Sequence, residues 1–542
     1  TGEDADTQDL REALEWTALA YTKPDEAARE LAQRLSEMVQ QEDMGEVLRL
    51  ASLVETLAEP LMESGIEPLL VYSRSIGNYA RDNRKIAATD FELLAGWEQQ
   101  IIVAGVPLFI PINRSRNINL QNPFFVGKPV PPEHFVGRKS EIIIAFDQIY
   151  NRSHLAIWGA PGMGKTSFLE KLADSKAWEE YGLDPSEAVI VLLNCKTISP
   201  FTPSGFWREI LICLKCKLEN EPRLEKKIEQ LLEREEVNKD SLREILRFLE
   251  KNNKFSVLLL DDYDFALQTN EEYDENAMQR FLIECRNLAV HSREGHHLSM
   301  IVTSLKRLNE LGPELNPNAS PWYNHYLFLR LKPFNNIEIS QSLRIFQKAE
   351  LLESVRDITG GNPSFLQIAG FLLYRNLELA KESISTAFID EFSNYAEPLF
   401  QNIWDCCTEV EKTLLMLLAL VHLKEKTDMP KLIGWSDFNM IISQRERQLS
   451  RLEEIGVLLH KINNSKTIYS FTSSIMEQWV IKTILHTDEE WLKQKENILI
   501  SFMNRRRFDS LKKAIKWLWA NPEEITKARK VTWSIVAKSE PL

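Results

Sequence analysis

The sequence has few cysteines and no long apolar run free of charge. Its six cysteines form neither a C-x2-C…C-x2-C pattern nor a Cys/His finger. The longest uncharged apolar-rich stretch, residues 99–113, is too short for a membrane-spanning helix. No basic segment followed by an apolar one indicates a signal peptide. We therefore expect buried thiols in a reducing compartment, no membrane span and a cytoplasmic protein.

Negative charge is concentrated in one part of the chain. Residues 1–100 contain 9 Lys+Arg against 21 Asp+Glu, a net charge of −12, so the other 442 residues carry only −2 of the total −14. This acidic region argues against nonspecific nucleic-acid binding there and is typical of a solvated helical surface. A length of 542 residues with 44% hydrophobic content indicates several globular domains.

Three successive segments differ in their apolar patterns. Residues 1–110 have apolar residues at helical spacing and predict an all-α domain. Residues 111–134 are rich in proline and predict an extended linker. Residues 135–334 alternate apolar runs with helical segments, which predicts an AAA+-like α/β/α core around a parallel five-stranded sheet. The candidate strands are residues 154–159, 188–195, 255–262, 298–304 and 326–331.

The remaining segments predict mainly helices. Residues 335–395 read as a small helical bundle. Residues 396–486 contain three helical segments and two strand-like runs joined by the turn "NNSK", which is typical of a winged helix. Residues 487–542 are helical again, and we expect them to begin a longer helical sensor region.

A glycine-rich segment carries the strongest chemical signal. Residues 159–166, "GAPGMGKT", fit G-x4-G-K-[ST] between an apolar strand and a helix. The glycines let backbone N–H groups face a phosphate, and the helix N-terminus adds positive potential. We expect Lys165 to span the β- and γ-phosphates of ATP or ADP and Thr166 to ligate Mg²⁺. The expected nucleotide-binding residues here are Gly159, Pro161, Gly162, Met163, Gly164, Lys165, Thr166 and Ser167.

Two acids end the apolar run "VLLLDD". We expect Asp261 to hold the Mg²⁺ shell beside Thr166, and Asp262 to orient or deprotonate an attacking water. Asp264 is expected either on the surface or behind these two acids. Because the strand-like run "AVIVLLNC" intervenes in sequence, we expect an extra strand between the P-loop strand and the acidic strand.

A third motif, "IVTSLKR", ends the next strand. Thr303 or Ser304 either faces the γ-phosphate or lytic water, as a sensor would, or caps the following helix.

The order of these motifs resembles the STAND ATPases, the signal-transduction NTPases that include NOD-like receptors and apoptosome scaffolds. The resemblance covers residues 123–486 and rests on "EHFVGRKSEI", the P-loop, "LLLDD", "VTS", "GGNPSFLQIAG" and the winged helix. It implies that Val136 flanks adenine, Arg138 anchors the linker near the nucleotide, and Pro363 closes over adenine from the bundle.

The sequence departs from this family at two places. Leu305 stands where many members have a sensor arginine, followed here by Lys306 and Arg307. "FTS", residues 471–473, stands where many members have Met-His-Asp, whose histidine touches the β-phosphate of ADP. Thr472 can still donate a hydrogen bond, but a latch histidine is absent.

The resemblance implies a switch with slow, regulatory ATP hydrolysis. An ADP-bound closed form opens on a trigger, binds ATP and Mg²⁺, and assembles with copies of itself to recruit an effector, as in defence or cell-death signalling. Residues 1–110 carry no nucleophile–base pair, so an adaptor role for that segment is expected. The trigger, the effector and the ring size stay open, as does an arginine from a neighbouring copy, for which the candidates are Arg286, Arg293 and Arg307.

Two other functions fit the sequence less well. A DNA-bound AAA+ ATPase similar to archaeal origin-recognition proteins is disfavoured, because glutamates offset the arginines of the candidate recognition helix, "SQRERQLSRLEEIG". A STAND-type transcription regulator that uses the winged helix is a variant of this DNA-binding hypothesis. A nucleotide-stabilised scaffold without hydrolysis fits the complete acidic pair less well.

Overall fold

The computed structural model describes residues 122–523, except for 219–220, 315–319, 347, 376–383, 428, 431–434 and 464–465. The chain divides into two compact units, Thr1–Gln121 and Asn122–Leu542. In the first unit only positions 16, 19, 27, 30, 31, 34, 50 and 53 are described, and all lie in helices. The rest of the predicted adaptor segment 1–110, the linker up to residue 121, and residues 524–542 lie outside the described residues.

A parallel five-stranded sheet lies at the centre of the α/β core, which confirms the predicted fold class. Its strands are β1 (His154–Trp158), β2 (Ala188–Asn194), β3 (Phe255–Asp261), β4 (Leu298–Ser304) and β5 (Tyr326–Arg330). Every residue of β1, β3 and β4 is buried, because helices cover both faces of the sheet. The edge strands β2 and β5 are partly exposed.

The strand order is β2-β3-β4-β1-β5. An extra strand does separate the P-loop strand from the acidic strand, but the prediction that it is "AVIVLLNC" is wrong. That segment forms the edge strand β2, and the strand between β1 and β3 is β4. After β3, the chain therefore crosses over and pairs as β4 on the side of β3 that faces away from β2. As a result, Thr303 at the end of β4 lies beside Ile157 of β1, with β3 on its other side.

Helices pack on both faces of this sheet. Alternate strand residues point to opposite faces, so Leu258 and Leu260 belong to one apolar core while Val257 and Leu259 belong to the other. The helices are α1 (Lys139–Tyr150), α2 (Lys165–Ala173), α3 (Ser175–Glu180), α4 (Pro203–Lys217), α5 (Pro222–Leu232), α6 (Lys239–Lys251) and α7 (Glu275–Arg286).

Among the described residues after β5, the regular elements are helices and one hairpin. The antiparallel strands β6 (Leu458–Asn463) and β7 (Lys466–Phe471) form this hairpin. The helices are α8 (Asn336–Ser342), α9 (Ala349–Thr359), α10 (Pro363–Arg375), α11 (Thr386–Asp405), α12 (Glu409–Glu425), α13 (Trp435–Ser443), α14 (Glu446–Glu454), α15 (Ser474–Leu485), α16 (Glu489–Met503) and α17 (Arg505–Ala520). One continuous apolar core runs through these elements.

Local sequence signals explain where several of these helices begin and end. Asn335 and Thr408 start α8 and α12 with complete capping boxes, which satisfy backbone N–H groups that have no helical partner. Pro363 occupies the first position of α10, where a missing N–H costs nothing. Gly360 ends α9 at φ +60°, a left-handed conformation that favours glycine.

Residues 122–134 lie along the second unit instead of crossing open solvent. Phe124 is buried in the helical core, and a Cβ at Gly370 of α10 would overlap its ring. The backbone N–H of Val130 donates to Ser167 Oγ at 2.8 Å. This part of the predicted linker therefore contacts both the helical bundle and the P-loop helix α2.

All six cysteines are free thiols, and Cys195, Cys285 and Cys407 are buried. The expectation of buried thiols is wrong for Cys216, which lies exposed near the end of α4. Within the described part of the chain, no helix combines the length and apolarity needed to cross a membrane.

Two histidine rings pack together where β1 and β5 begin. His154 and His325 have ring centroids 5.3 Å apart in an edge-to-face arrangement. The Met300 N–H donates to Nδ1 of His154 at 3.1 Å. Burial lowers the pKa of His154 to about 4 and that of His325 to about 3, the latter with further repulsion from His154 and Arg286. Both rings are therefore neutral in the folded protein above pH 5.

These depressed values predict acid sensitivity. Because an unfolded histidine takes up a proton near pH 6.5, stability is complete above that pH and falls as the pH decreases towards 4. Each site contributes up to about 1.4 kcal/mol per pH unit in that window. Urea unfolding at pH 7 and pH 5 should show a smaller pH dependence for His325→Phe than for wild type. The exposed control His296→Phe should keep the wild-type dependence, and an unchanged slope in His325→Phe would contradict the assignment.

Candidate functional site

The P-loop connects β1 to α2 with its lysine folded back on the loop. Gly162 and Gly164 both have φ of +81°, a conformation that favours glycine and lets the chain turn into α2. Nζ of Lys165 donates to the carbonyl oxygens of Gly159 at 2.8 Å and Ala160 at 3.3 Å. Lys165 is 8% exposed, and burial lowers its pKa. The ammonium is thus held at the mouth of the loop by two carbonyl groups.

Asp261 joins three elements at the carboxyl edge of the sheet. Its Oδ2 accepts a hydrogen bond from Thr166 Oγ1 at 2.7 Å, and its Oδ1 accepts one from Thr303 Oγ1 at 2.5 Å. Asp261 is 2% exposed. One carboxylate therefore binds the first turn of α2 and the end of β4 at once, which brings together three residues that the sequence places far apart.

Asp262 takes an unusual backbone conformation immediately after β3. Its φ is +48°, which an aspartate tolerates better than most residues and which is often found at functional sites. Its N–H donates to Thr303 Oγ1 at 3.2 Å, and Asn194 Nδ2 donates to its Oδ2 at 3.0 Å. Asn194, at the end of β2, orients this carboxylate and was not identified from the sequence.

Asp264 is 7% exposed. The predicted surface position is therefore wrong, and the alternative prediction, a buried position behind Asp261 and Asp262, is correct. Both of its oxygens accept the Leu305 N–H at 3.0 Å. Burial raises the pKa of its carboxyl to about 6, although the Leu305 N–H and the charge of Lys165 oppose that shift. Asp264 thereby fixes the loop that follows β4.

The two sensor candidates separate in the structure. Thr303 is fully buried and bonded to Asp261, whereas Ser304 Oγ donates to the Lys306 carbonyl at 2.6 Å. Thr303 therefore belongs to the acidic site, and Ser304 stabilises the turn after β4.

Arg138 reaches the P-loop from the start of α1. Its Nη2 donates to the Met163 carbonyl at 3.4 Å, and its guanidinium lies 4.8 Å from the ring centre of Phe334. Its own N–H donates to Glu338 of α8 at 2.9 Å. Arg138 is 3% exposed, so this charge links the P-loop to the helical bundle in a buried position. Val136, predicted to flank adenine, lies half-buried two residues before it.

The Gly-Asn-Pro segment packs directly on the P-loop. Asn362 Nδ2 donates to the Pro161 carbonyl at 3.2 Å, and the Ser364 N–H donates to the Gly162 carbonyl at 3.1 Å. Asn362 is 4% exposed and also caps α10, which Pro363 begins. The segment was predicted to act through Pro363, whereas in the structure the contacts to the P-loop come from Asn362 and the Ser364 backbone.

Thr472, for which the sequence predicted the position of a latch residue, forms hydrogen bonds with the turn that precedes β6. Its Oγ1 donates to the carbonyls of Gly456 at 2.7 Å and Val457 at 3.1 Å. A Cβ at Gly456 would lie 2.7 Å from Pro333 and 3.3 Å from Met163 of the P-loop. The turn between α14 and β6 thus touches the P-loop while Thr472 holds that turn in shape.

The residues at the carboxyl edge fit a magnesium ion that is shared with phosphate groups. Thr166 and Asp261 offer a hydroxyl and a carboxylate oxygen 2.7 Å apart, the hard ligands that Mg²⁺ prefers. No cluster of three or more His, Cys, Asp or Glu side chains that could hold a metal occurs in the described ranges. Mg²⁺ is commonly held by one or two protein ligands together with substrate phosphates and water, so this donor set is sufficient.

Comparisons with known proteins support the AAA character of the core. Residues 148–311, which contain β1 to β4, match the family described as AAA domain. No curated protein matches the chain.

Solved structures resemble the chain at low identity. A Walker-type ATPase of Pyrococcus abyssi is 15% identical with a TM-score of 0.42, covering 65% of this chain and 97% of that one. The Aeropyrum pernix ORC2 protein is 14% identical with a TM-score of 0.37, covering 64% and 94%. A STAND protein with a tetratricopeptide repeat sensor from Pyrococcus horikoshii is 16% identical with a TM-score of 0.27, covering 79% and 50%. Scores this low carry no functional argument.

Close contact between Gly162 and the Gly-Asn-Pro segment predicts a selective effect of substitution. A Cβ at Gly162 would lie 2.7 Å from Asn362 Oδ1 and 3.0 Å from Leu399. Gly162→Ala should lower the free energy of unfolding by about 1–3 kcal/mol more than Gly182→Ala. Gly182 is the matched control, because its φ is +73° but nothing lies within 4 Å of an added Cβ. Equal losses in denaturant titrations of the two variants would contradict the packing.

Proposed function

We propose that the protein is a nucleotide-dependent signalling switch of the STAND type. In the closed form, ADP occupies the P-loop while the helical bundle and residues 396–486 pack against it. We call residues 396–486 the hairpin module and interpret them as a winged helix. A trigger opens the molecule, ATP and Mg²⁺ bind, and copies assemble to recruit an effector through residues 1–110. Val136 and Pro363 are proposed to border the adenine.

The observation that carries this proposal is the contact of three separate parts of the chain with one P-loop. Asn362 of the bundle binds the Pro161 carbonyl, Gly456 of the hairpin module lies against Met163, and Val130 of the incoming segment binds Ser167. A phosphate that binds this loop therefore acts on all three of these parts. Differential contacts of this kind are what a ligand needs to shift a conformational equilibrium.

The acidic site supports hydrolysis by this chain's own residues. Lys165 exchanges its two carbonyl partners for phosphate oxygens, and Thr166 and Asp261 hold Mg²⁺, which neutralises phosphate charge when bound. Asp262, oriented by Asn194, is placed to accept a proton from water. Thr303 is connected to the proposed Mg²⁺ site through its hydrogen bond to Asp261.

The structure gives no support to a DNA-reading role for α14. Arg445 Nη2 donates to the Phe502 carbonyl at 3.1 Å, and Arg451 lies 3.4 Å from Glu411. The end of the helix is in contact with the ATPase core through Glu453 and Glu454. A recognition helix presents a free basic face to the major groove, whereas only Arg447 of the three arginines in this segment is exposed.

Nucleotide binding should depend strongly on the P-loop lysine. Lys165→Ala should weaken ADP binding about 10- to 100-fold in isothermal titration calorimetry, since a charged hydrogen-bond donor to phosphate is lost. Lys171→Ala, on the same helix but outside the loop, should bind like wild type. Equal affinities for Lys165→Ala and wild type would remove the basis of the proposal.

Hydrolysis should depend on Asp262 while binding should not. Asp262→Asn should reduce ATP turnover about 10²- to 10⁴-fold, because the carboxylate that accepts the proton is gone. Its affinity for ADP should stay near that of wild type. Phosphate release measured beside the exposed control Asp147→Asn tests this, and unchanged turnover in Asp262→Asn would exclude it as the base.

Assembly is tested by particle size in solution. The intact chain should be larger with a non-hydrolysable ATP analogue than with ADP, and Lys165→Ala should remain small with both. If light scattering gives one size under all conditions, the assembly part of the proposal is wrong.

A further inference from the structure

The hairpin module contacts the ATPase core through a cluster of charged residues around Trp158, the last residue of β1. The guanidinium of Arg307 lies 4.8 Å from the Trp158 ring centre, and that of Arg330 lies 5.6 Å from it. Arg307 Nη2 pairs with Glu454 at 3.0 Å, and Arg330 Nη2 donates to the Glu453 carbonyl at 2.7 Å. The C-terminal end of α14 therefore rests on two arginines that stack beside the residue preceding the P-loop.

These arginines also suit the helix end electrostatically. The C-terminus of a helix carries partial negative charge on carbonyl oxygens without a helical partner, and Glu454 adds a full charge there. Both Nε atoms, of Arg307 and Arg330, are buried without a hydrogen-bond partner among the described residues. The orientation of the two guanidinium groups thus depends mainly on Trp158 and the end of α14.

Arg307 is positioned from the nucleotide site through Asp264. Both Asp264 oxygens accept the Leu305 N–H, and Ser304 Oγ donates to the Lys306 carbonyl. The loop that carries Arg307 is thereby fixed at two points. Burial lowers the pKa of Lys165, and the charge of Asp264 opposes this shift more than that of Asp261 or Asp262.

We propose that the Arg307–Glu454 pair is the latch that holds the hairpin module closed on the ATPase sheet, and that Asp264 is a positioning residue that links this latch to Lys165. The inference rests on the proposed switch function and supplies the regulation of the same site. In this proposal, the contact that closes the molecule is an ion pair between the loop after β4 and the end of α14. It takes the role that we expected of a latch histidine at the position of Thr472.

The coupling follows from competition for one ammonium group. Phosphate oxygens at Lys165 supply negative charge that Asp264 provided before, and like charges repel at short range. A γ-phosphate adds to this repulsion, so Asp264 loosens its hold on the Leu305 N–H. The loop then no longer presents Arg307 to Glu454, and the hairpin module is released.

Release of a fluorescent ADP analogue, N-methylanthraniloyl-ADP, measures the latch directly. In stopped-flow experiments on the full chain, Glu454→Gln should release the analogue about fivefold faster than wild type, as expected for loss of one partly exposed ion pair. The matched control is Glu221→Gln, which breaks the Lys254–Glu221 pair of 3.0 Å and similar exposure within the ATPase core. It should release the analogue at the wild-type rate.

Charge reversal separates a latch from a general structural role. Glu454→Arg should accelerate release further, and the double variant Arg307→Glu/Glu454→Arg should restore slow release. Asp264→Asn keeps the volume and one acceptor oxygen but loses the charge, and it should also accelerate release. Combined with Glu454→Gln, it should add no further acceleration if both act through the same latch.

The outcomes are distinguishable. If wild type and Glu454→Gln release the analogue equally fast, or if charge reversal gives no rescue, the latch is wrong while the proposed function stands. If the effects of Asp264→Asn and Glu454→Gln multiply, Asp264 does not act through the latch. If wild type fails to bind the analogue, or binds it no better than Lys165→Ala does, the proposed function falls and this inference falls with it.

Discussion

A single buried carboxylate, that of Asp261, determines the geometry of the whole site. It accepts hydroxyl hydrogen bonds from Thr166 at the start of α2 and from Thr303 at the end of β4. Hydrogen bonds to a charged acceptor are stronger than neutral ones, and a buried carboxylate without partners would be costly. The P-loop helix α2 and the strands β3 and β4 are therefore held in one arrangement at the carboxyl edge of the sheet.

Around this centre, the contacts between domains converge on carbonyl groups of the P-loop. Asn362, Arg138 and Lys165 all donate to loop carbonyls, at Pro161, Met163 and Gly159 respectively. The loop's N–H groups, which a phosphate needs, are not the groups used by these donors. A nucleotide can therefore bind without first displacing the bundle, although it does compete for Lys165. Because these donors bind loop carbonyls and a phosphate binds loop N–H groups, the contacts are consistent with a closed, ADP-bound state. In that state the bundle and the hairpin module remain packed on the P-loop.

Sequence patterns with strong local causes were predictable. The apolar runs of β1, β3 and β4 follow from burial on both faces, and the glycine positions of the P-loop follow from backbone conformations that other residues avoid. The strand order could not be predicted from these patterns, because they do not show on which side of β3 the next strand, β4, pairs. The role of Asn194 and the hydrogen-bond partner of Asp264 were missed for a related reason. Their partners, Leu305 and Asp262, are distant in sequence, and nothing local marks the pairing. The contact between Arg307 and Glu454 spans 147 positions and has no sequence signal.

In the proposed switch, the hairpin module is closed on the ATPase sheet with ADP and open with ATP. The most direct measurement is a spin-label distance between Tyr150→Cys on α1 and Ile462→Cys on β6, both exposed, in a Cys216→Ser background. We expect one short distance with ADP and a longer one with a non-hydrolysable ATP analogue and Mg²⁺. Identical distance distributions with the two nucleotides, both shown to be bound, would contradict it.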